Sequence, residues 1–204
     1  MAQLKMYWLA GTPVEELALP EGYSIVNYAG EQDIQAWLDC CKNGLEADDA
    51  DKSRFDARIT DHDDINIETD VFFLDYEGEH IGTATAVFHP DENCGELHMV
   101  GIKTEFRGKG LGKYLNNVCI KKLAEQKVDY IYLTTDEWRK GAVKSYLSSG
   151  FVPVEYDEGM QKRWEAVITE HNVDSIDMVN EDCSFYKKIY KAPKIKVGVL
   201  GAGR

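Results

Sequence analysis

The sequence predicts an α+β (mixed α/β) domain built around one twisted sheet. Alternating or continuous apolar runs typical of strands recur along the chain, and apolar residues at helical spacing lie between them. The order is strand, helix, helix, three strands, helix, strand, helix and strand, which favours helices packed on a single sheet. With 204 residues the chain can bury a full core without disulfides or metals.

The N-terminal part is predicted to hold one strand and two helices. Residues 23–28 alternate like a strand after a proline-glycine turn signal. Apolar residues recur at helical spacing from Ile34 to Cys41, and Gly44 stands where that helix should end. A weaker helical pattern covers residues 50–60. We therefore expect a strand followed by two helices before the next apolar run.

Three consecutive strands are predicted in the middle of the chain. Residues 71–76 and 80–89 are typical of a hairpin with a glycine turn, and residues 95–102 form the third strand. Residues 107–112 then open a long helix whose apolar residues lie on one face. We expect this helix to pack on the sheet that the three strands form.

The predicted core ends with a strand, a helix and a strand. Residues 130–133 form a buried type of strand, and residues 141–147 form a short helix that Gly150 closes as its C-terminal cap. Residues 151–154 are the last predicted core strand. The chain shows no internal repeat and no low-complexity segment.

Charge and hydropathy exclude several classes of partner. The net charge of −13 argues against nucleic acid as a ligand. No apolar run approaches the roughly 20 residues that cross a bilayer. Residues 1–9 hold one lysine and a brief apolar stretch, which does not resemble a secretory signal. We therefore expect a cytoplasmic protein with no nucleic-acid and no membrane partner.

The five cysteines favour reduced thiols over a disulfide framework or a metal site. Their number is odd, and no C-x-x-C pair occurs. The adjacent Cys40 and Cys41 do not have a usual zinc-binding spacing. We therefore interpret the cysteines as small apolar residues and predict no metal site.

The charges are unevenly distributed along the chain. Residues 103–127 hold seven Lys or Arg and two Glu, whereas residues 31–70 hold thirteen Asp or Glu and four Lys or Arg. A basic island in an acidic protein suits a polyanionic ligand. A solvated helix face explains the same charges, so the island gains meaning only from the glycine-rich loop inside it.

That loop, residues 107–112, lies between an apolar strand and an amphipathic helix. Gly110 and Gly112 lack Cβ atoms, which allows a ligand to approach the backbone. The first helical N–H groups have no intrahelical partner and lie at the positive end of the dipole, so a diphosphate can bind there. Arg107 and Lys109 can add counter-charge. The spacing is neither that of a P-loop nor that of a dinucleotide fold, and a plain tight turn remains the alternative.

These residues resemble the signature of the GNAT superfamily, R/Q-x-x-G-x-G/A, which Arg107, Gly110 and Gly112 match. Downstream, residues 142–151 resemble the family's A-x-x-x-Y-x-x-x-G-F. The resemblance spans about residues 20–156 within a domain of residues 1–158. It implies the GNAT fold, a central, twisted, mostly antiparallel sheet that is splayed at the cofactor site and flanked by helices. It also implies that the strand ending at Ile102 is bulged.

The resemblance implies an acetyl-CoA-dependent N-acetyltransferase in which an amine attacks the thioester directly in a ternary complex. A bulge would free a backbone N–H near Val100 to polarise the thioester carbonyl. Arg139 stands where many relatives carry asparagine, and it is either a cofactor contact or a surface residue. The residues expected to contact the cofactor are Val100, Gly101, Ile102, Arg107, Gly108, Lys109, Gly110, Leu111, Gly112, Lys113 and Arg139.

Three residues are candidates for proton transfer. Position within the motif makes Tyr146 the candidate acid that protonates the leaving thiolate, with a tyrosine packed in a helix as the alternative. Glu96 and His98 lie two apart on one strand, so both can face the acceptor and serve as its base. One solvent-facing residue and one structural histidine, or a chain of waters, is the competing interpretation.

The acceptor is expected to bind against residues 31–70, where the family builds its variable wall. The acidity of this segment favours a cationic small-molecule amine, although a solvated acidic surface explains it equally. Two other functions remain open: a non-catalytic acyl-CoA-binding module, and a protein or peptide N-acetyltransferase. Replacing Tyr146 by Phe should separate an enzyme from a binding module.

The C-terminal residues extend beyond the family core. Residues 159–193 are expected to pack on it, with Trp164, Val167 and Ile168 on one side of a helix. Residues 194–204 resemble the first strand and glycine turn of a Rossmann oxidoreductase of the inositol-dehydrogenase-like family, as if a second domain began there. The resemblance stops before the helix, so we expect no NAD binding. An exposed strand there could pair with a second copy in a homodimer.

Overall fold

The computed structural model describes residues 2–193, which form a nine-stranded sheet with helices on both faces. The strand order is β2-β3-β4-β5-β6-β1-β7-β8-β9. The strands are β1 Leu4–Leu9, β2 Tyr23–Asn27, β3 Val71–Tyr76, β4 Glu79–His89, β5 Cys94–Ile102, β6 Tyr130–Thr135, β7 Val152–Glu155, β8 Ser175–Asn180 and β9 Phe185–Tyr190. The predictions for residues 194–204, including those on NAD and on pairing, lie outside the described residues.

Six α-helices occur among the described residues: α1 Ile34–Cys41, α2 Lys52–Phe55, α3 Ile67–Asp70, α4 Gly112–Glu125, α5 Lys140–Ser148 and α6 Met160–Glu170. Asp56–Thr60 continues α2 as a π-helical turn, so the weak helical pattern at residues 50–60 becomes two short turns. The long helix starts at Gly112 rather than at residue 107, because residues 107–111 form a loop. None of these helices is long and apolar enough to cross a bilayer.

The sheet is mostly antiparallel, as predicted, with two parallel pairs. The parallel pairs are β5 with β6 and β7 with β8, and all other neighbours run antiparallel. β5 and β6 pair over only three residues, from Cys94↔Tyr130 to Glu96↔Tyr132. Beyond this point the two strands separate, so the predicted splay of the sheet is present.

Strand β1 was not predicted, and it lies in the middle of the sheet. It pairs with β6 on one side and with β7 on the other. Leu4, Met6, Tyr7 and Trp8 are all buried. Because both faces of β1 are covered, its apolar residues are nearly continuous and lack the alternation that marks a half-exposed strand. The folded core therefore begins near residue 4 instead of near residue 20.

The two faces of the sheet carry separate apolar cores. Leu115, Cys119 and Leu123 of α4 belong to the larger core, together with Tyr146 and Trp164. The smaller core joins α1 and α2 to β3, and its members are Ile34, Trp37, Leu38, Cys41, Phe55, Ile59, Val71 and Phe73. The helices α1 and α4 thus lie on opposite faces of the strands that separate at the splay.

The C-terminal extension continues the sheet. Trp164, Val167 and Ile168 are buried on one side of α6, which confirms the predicted helix. The hairpin of β8 and β9 was not predicted, and β8 pairs with β7 in the main sheet. Residues 159–193 therefore pack on the core and lengthen its sheet.

Candidate functional site

A β-bulge interrupts β5 shortly after the splay begins. Thr85 pairs with His98 and Thr83 pairs with Gly101, so Met99 and Val100 together oppose a single residue of β4. Met99 adopts a positive φ of 48° to make the bulge. A bulge leaves one residue without its ladder partner. The bulge that the family resemblance implied is therefore present in β5, and the donation of a backbone N–H near Val100 to a ligand stays a prediction.

Gly101 is required because the end of α1 approaches the backbone of β5. A Cβ built on Gly101 would lie 2.6 Å from the carbonyl oxygen of Cys40. No real Cβ tolerates that distance to a backbone atom. The end of α1 is consequently pressed against the bulged part of β5. The segment from α1 through Thr60, which is expected to form the acceptor wall, therefore meets the strand that is expected to contact the cofactor.

The loop after β5 presents backbone N–H groups at the start of α4. Gly110 is left-handed with φ 73°, and Leu111 is right-handed with φ −73° and ψ −26°. Successive residues of opposite hand form a concave nest of N–H groups that binds anions. A Cβ at Gly110 would meet no described heavy atom within 4 Å. The backbone at Gly110 therefore borders open space on the side where a Cβ would lie.

Gly112 has a different role from the one predicted. A Cβ on Gly112 would lie 2.9 Å from Oγ of Ser145 on α5, so its missing side chain lets two helices meet rather than admitting a ligand. Asn116, one turn further along α4, is fully buried and donates from Nδ2 to Oγ of Ser145 and to Oγ of Ser149, each at 3.0 Å. These contacts hold α5 against the start of α4.

The basic side chains of the loop do not act alike. Lys109 places Nζ 4.7 Å from the ring centroid of Phe106, and Lys113 places Nζ 4.9 Å from that of Tyr114. Arg107 instead donates to three backbone carbonyls, from Nε to Ile102 at 2.8 Å and from its two Nη atoms to residues 42 and 43. The guanidinium of Arg107 is therefore engaged with the backbone, and its counter-charge to a diphosphate stays a prediction.

Tyr146 lies inside the larger core on α5. Only 5% of the residue is exposed, and its ring packs edge-to-face on Phe151 with centroids 6.1 Å apart. Burial raises the pKa of Tyr146 above its ordinary value, while the positive charge of Arg139 opposes the rise. The phenol is thus protonated at neutral pH and is held next to Ser145, which touches the start of α4.

Glu96 and His98 form a hydrogen-bonded pair on β5. Nδ1 of His98 lies 2.8 Å from Oε1 of Glu96, and Nε2 lies 3.1 Å from the carbonyl oxygen of Arg58. Tyr132 donates its hydroxyl to Oε2 of Glu96 at 2.9 Å. His89 lies next to them, with Nδ1 2.7 Å from Oδ2 of Asp64. The two candidate base residues therefore belong to one polar cluster under the π-helical turn.

The hydrogen bonds and charges of this cluster lower the pKa of Glu96. Burial by itself would raise the pKa of Glu96, but the hydrogen bond and charge of His98, the Tyr132 hydroxyl and the charge of His89 outweigh it, and the pKa falls to about 2. Glu96 is therefore an anion at neutral pH. An anionic partner at Nδ1 favours a hydrogen on that nitrogen and orients the ring.

Arg139 and Trp138 stand in the loop between β6 and α5. The ring of Trp138 is 62% exposed, and Arg139 lies 5.9 Å from its centroid. A Cβ on Gly44 would lie 3.5 Å from Trp138, so this loop reaches the segment that follows α1. Arg139 also precedes α5 and accepts its first helical hydrogen bond, from the N–H of Val143. The predicted contact between Arg139 and the cofactor stays a prediction.

Three of the thirteen acidic residues at residues 31–70 pair with basic residues of the same segment. Glu46, whose side chain is 4% exposed, accepts from Nε of Arg54 and from Nε of Arg58, both at 2.8 Å. Asp39 pairs with Lys42, and Asp56 pairs with Lys52. Burial alone would raise the pKa of Glu46, but the hydrogen bonds and charges of the two arginines lower it. The preference of this segment for a cationic acceptor stays a prediction.

Comparison with known proteins identifies the family. The sequence model of the Acetyltransferase (GNAT) family matches residues 31–151. The chain belongs to this family. The match includes the bulged strand, the 107–112 loop and α5, so the family predicted from the two motifs is confirmed.

A curated relative of this GNAT protein is a mycothiol acetyltransferase from Streptomyces coelicolor. The two are 32% identical over 154 residues, which cover 73% of this chain and 49% of the relative. A second mycothiol acetyltransferase, from Paenarthrobacter aurescens, is 30% identical over 156 residues, covering 72% and 48%. The chain thus spans about half the length of the curated relatives it matches.

Solved structures confirm the GNAT fold. A GCN5-related N-acetyltransferase from Sphaerobacter thermophilus superposes with a TM-score of 0.59 at 15% identity, covering 75% of this chain and 49% of the other. Another from Kribbella flavida gives a TM-score of 0.54 at 21% identity, with 75% and 55% covered. Identity this low shows the fold alone, which is the predicted mixed sheet flanked by helices.

The residues of this GNAT domain fit acetyl-CoA, the acyl donor that the family uses. The nest formed by Gly110 and Leu111, successive residues of opposite hand, suits a diphosphate. The separation of β5 and β6 would admit a pantetheine arm, and the bulge at Met99 interrupts the ladder of hydrogen bonds beside it.

Sequence reasoning missed several residues of the site. Asn116 is a polar residue on the buried side of α4, and that placement was the available signal. Tyr132 and His89 belong to different strands from Glu96, and nothing in their own neighbourhoods marks them. Their side chains meet Glu96 only because the sheet brings β4, β5 and β6 together.

Proposed function

We propose that this GNAT domain transfers the acetyl group of acetyl-CoA to the amine nitrogen of a small molecule, by direct attack in a ternary complex. One observation supports this most strongly. The strands β5 and β6 separate directly before the bulge at Met99, and the loop after β5 carries the nest at Gly110 and Leu111. Acetyl-CoA suits this arrangement, because its diphosphate can bind at the nest while its pantetheine arm brings the thioester to the bulge.

Acetyl-CoA supplies the thioester carbonyl and a thiolate leaving group. The N–H groups of Gly110, Leu111 and Gly112 hold the diphosphate at the positive end of α4. Lys109 and Lys113 add positive charge from the same loop. The backbone N–H near Val100 stabilises the oxyanion that forms on the carbonyl.

The Glu96–His98 pair accepts the proton of the acceptor amine. Glu96 holds a hydrogen on Nδ1, so Nε2 is the nitrogen that acts as the base once it carries no hydrogen of its own. The carbonyl of Arg58 lies 3.1 Å from Nε2 and can only accept a hydrogen bond, so it fixes this edge of the ring against the wall. An acceptor amine that approaches Nε2 beside this carbonyl can donate to it and present its nitrogen to the base.

Tyr146 protonates the departing thiolate. Its burial keeps the phenol un-ionised, and its position on α5 is set by the contact of Ser145 with the start of α4. A buried phenol in an apolar wall donates to an anion that forms nearby, because water does not compete for the proton.

The acceptor is proposed to be a small molecule related to the one that mycothiol acetyltransferases acetylate. The similarity to those relatives supports this choice. We also propose a cytoplasmic location, since all five cysteines are free thiols, four of them buried.

The test is an acceptor screen with release of free CoA thiol as the readout. The acceptors are the substrate of mycothiol acetyltransferases, simple primary amines, amino acids and short peptides. Turnover with a small amine, abolished or strongly reduced in Tyr146→Phe, supports the proposal. Tight binding of acetyl-CoA by calorimetry without any turnover would assign the domain as an acyl-CoA-binding module. Turnover with peptides alone would assign it as a protein acetyltransferase.

A further inference from the structure

The guanidinium of Arg107 joins two elements that belong to different halves of the site. Nε donates to the carbonyl of Ile102, the last residue of β5, at 2.8 Å. Nη1 donates to the carbonyl of Asn43 at 3.0 Å, and Nη2 donates to that of Lys42 at 2.6 Å. Lys42 and Asn43 directly follow α1. One side chain of the cofactor loop therefore binds the two carbonyls that directly follow α1 in the acceptor wall.

Two further contacts hold α1 at the same place. Nδ2 of Asn43 donates to Oγ1 of Thr104 at 3.0 Å. Gly101 lets the carbonyl of Cys40 approach within a distance that no side chain would allow. The carbonyl of Cys41, the last residue of α1, accepts from the N–H groups of Leu45 and Glu46. The next two carbonyls, just beyond the helix, are those that accept from Arg107 of the cofactor loop.

The segment that follows α1 connects α1 to His98, the candidate base. The segment after α1 contains Glu46, which binds Arg54 and Arg58 at the start of the next helical turns. The carbonyl of Arg58 in turn lies 3.1 Å from Nε2 of His98. Hydrogen bonds, an ion pair and the backbone between them thus connect Arg107 to His98 along the acceptor wall.

We propose that Arg107 is a positioning residue that sets the acceptor wall, the segment from α1 through Thr60, against the cofactor strand. This inference rests on the proposed acetyl transfer. The guanidinium of Arg107 donates to three backbone carbonyls, and a lysine ammonium at this position cannot reach all three at once. Loss of these hydrogen bonds releases the end of α1 and moves the carbonyl of Arg58 away from His98.

The kinetic test compares Arg107→Lys and Arg107→Gln with Lys109→Gln, using acetyl-CoA and S-acetylpantetheine, which lacks the diphosphate. For both Arg107 variants we expect the acceptor KM to rise tenfold or more with either donor. Lys109→Gln should raise the KM for acetyl-CoA and leave the acceptor KM within twofold. A wild-type acceptor KM in Arg107→Lys overturns the proposal. So does an Arg107→Gln defect that disappears with S-acetylpantetheine, since that result makes Arg107 a phosphate ligand.

A second measurement does not depend on turnover. Hydrogen–deuterium exchange of the ligand-free chain should show faster exchange of residues 40–60 in Arg107→Lys than in wild type, with exchange of α6 unchanged. Thr104→Val removes one parallel contact and should give a smaller effect in the same segment. Unchanged exchange in both variants contradicts the proposal. If wild type acetylates no acceptor, the proposed function fails while the exchange result still decides the role of Arg107.

Discussion

His98 and Glu96 are two residues apart on β5, and their side chains meet with Nδ1 2.8 Å from Oε1. The opposite nitrogen of the same imidazole reaches the carbonyl of Arg58, on the wall that covers the strand. A carboxylate on one side of an imidazole sets which nitrogen carries the hydrogen. The pair therefore links acid–base chemistry on β5 to the placement of the wall.

Replacement of His98 should act on turnover. His98→Ala is expected to lower kcat/KM for the acceptor by about 10²–10⁴, because a positioned general base contributes an effect of that size. His171→Ala, directly after α6, is the matched control and should keep the wild-type kcat/KM. A His98→Ala enzyme with full activity would assign base catalysis to water.

Replacement of Glu96 should change stability in acid. The pKa of Glu96 is lowered from 4.5 to about 2, so its contribution to stability is complete above about pH 4.5 and is lost as the pH falls from there towards 2. Glu96→Gln is expected to destabilise the fold at pH 7 by about 1–3 kcal/mol, because charge-assisted hydrogen bonds are lost. The variant should then show a flatter dependence of Tm on pH between those limits.

The control for this stability measurement is Glu16→Gln. The Glu16 side chain is 88% exposed and pairs with Lys121 at the surface, where such a pair contributes at most about 1 kcal/mol. Thermal melts of wild type and both variants from pH 7 to pH 2.5 provide the comparison. Equal slopes of Tm against pH for wild type and Glu96→Gln would show that Glu96 does not carry this part of the acid sensitivity.

Tyr146→Phe should separate chemistry from binding. We expect kcat to fall about 10–10³-fold while the affinity for acetyl-CoA and the Tm stay close to wild type, because only the hydroxyl is removed from a buried ring. Since the pKa of Tyr146 is raised above 10.0, wild-type activity should show no loss from ionisation of this phenol below that pH. Tyr186→Phe on β9 is the control, and stopped-flow single turnovers give the rates.

Asn116→Ala tests the contact between α4 and α5. Asn116 is fully buried and its Nδ2 binds Ser145 and Ser149, so the change should cost about 1–3 kcal/mol of stability and leave two hydroxyls without their donor. Because Tyr146 follows Ser145, kcat should fall as well while the acceptor KM changes little. Glu125→Ala, at an exposed position of the same helix, should alter neither quantity beyond about twofold or 0.5 kcal/mol. Chemical denaturation and steady-state kinetics together measure both effects.

The sequence alone determined the features that local spacing encodes. The hairpin of β3 and β4, the amphipathic face of α4 and the short helix α5 follow from residues close together in the chain. The loop at residues 107–112 is equally local, because its glycines and the helix start lie next to one another. The family and the fold, a sheet flanked by helices, were predicted from these elements, and the comparisons with known proteins confirm both.

Tertiary structure decided the features that depend on distant residues. β1 belongs to the centre of the sheet only because β6 and β7 cover both of its edges, and these strands lie more than 100 residues away. Arg107 carries a charge that suits phosphate, yet its partners are carbonyls 64 and 65 residues earlier in the chain. A side chain's type limits which bonds it can make, whereas the packing of the whole domain selects which partners lie within reach.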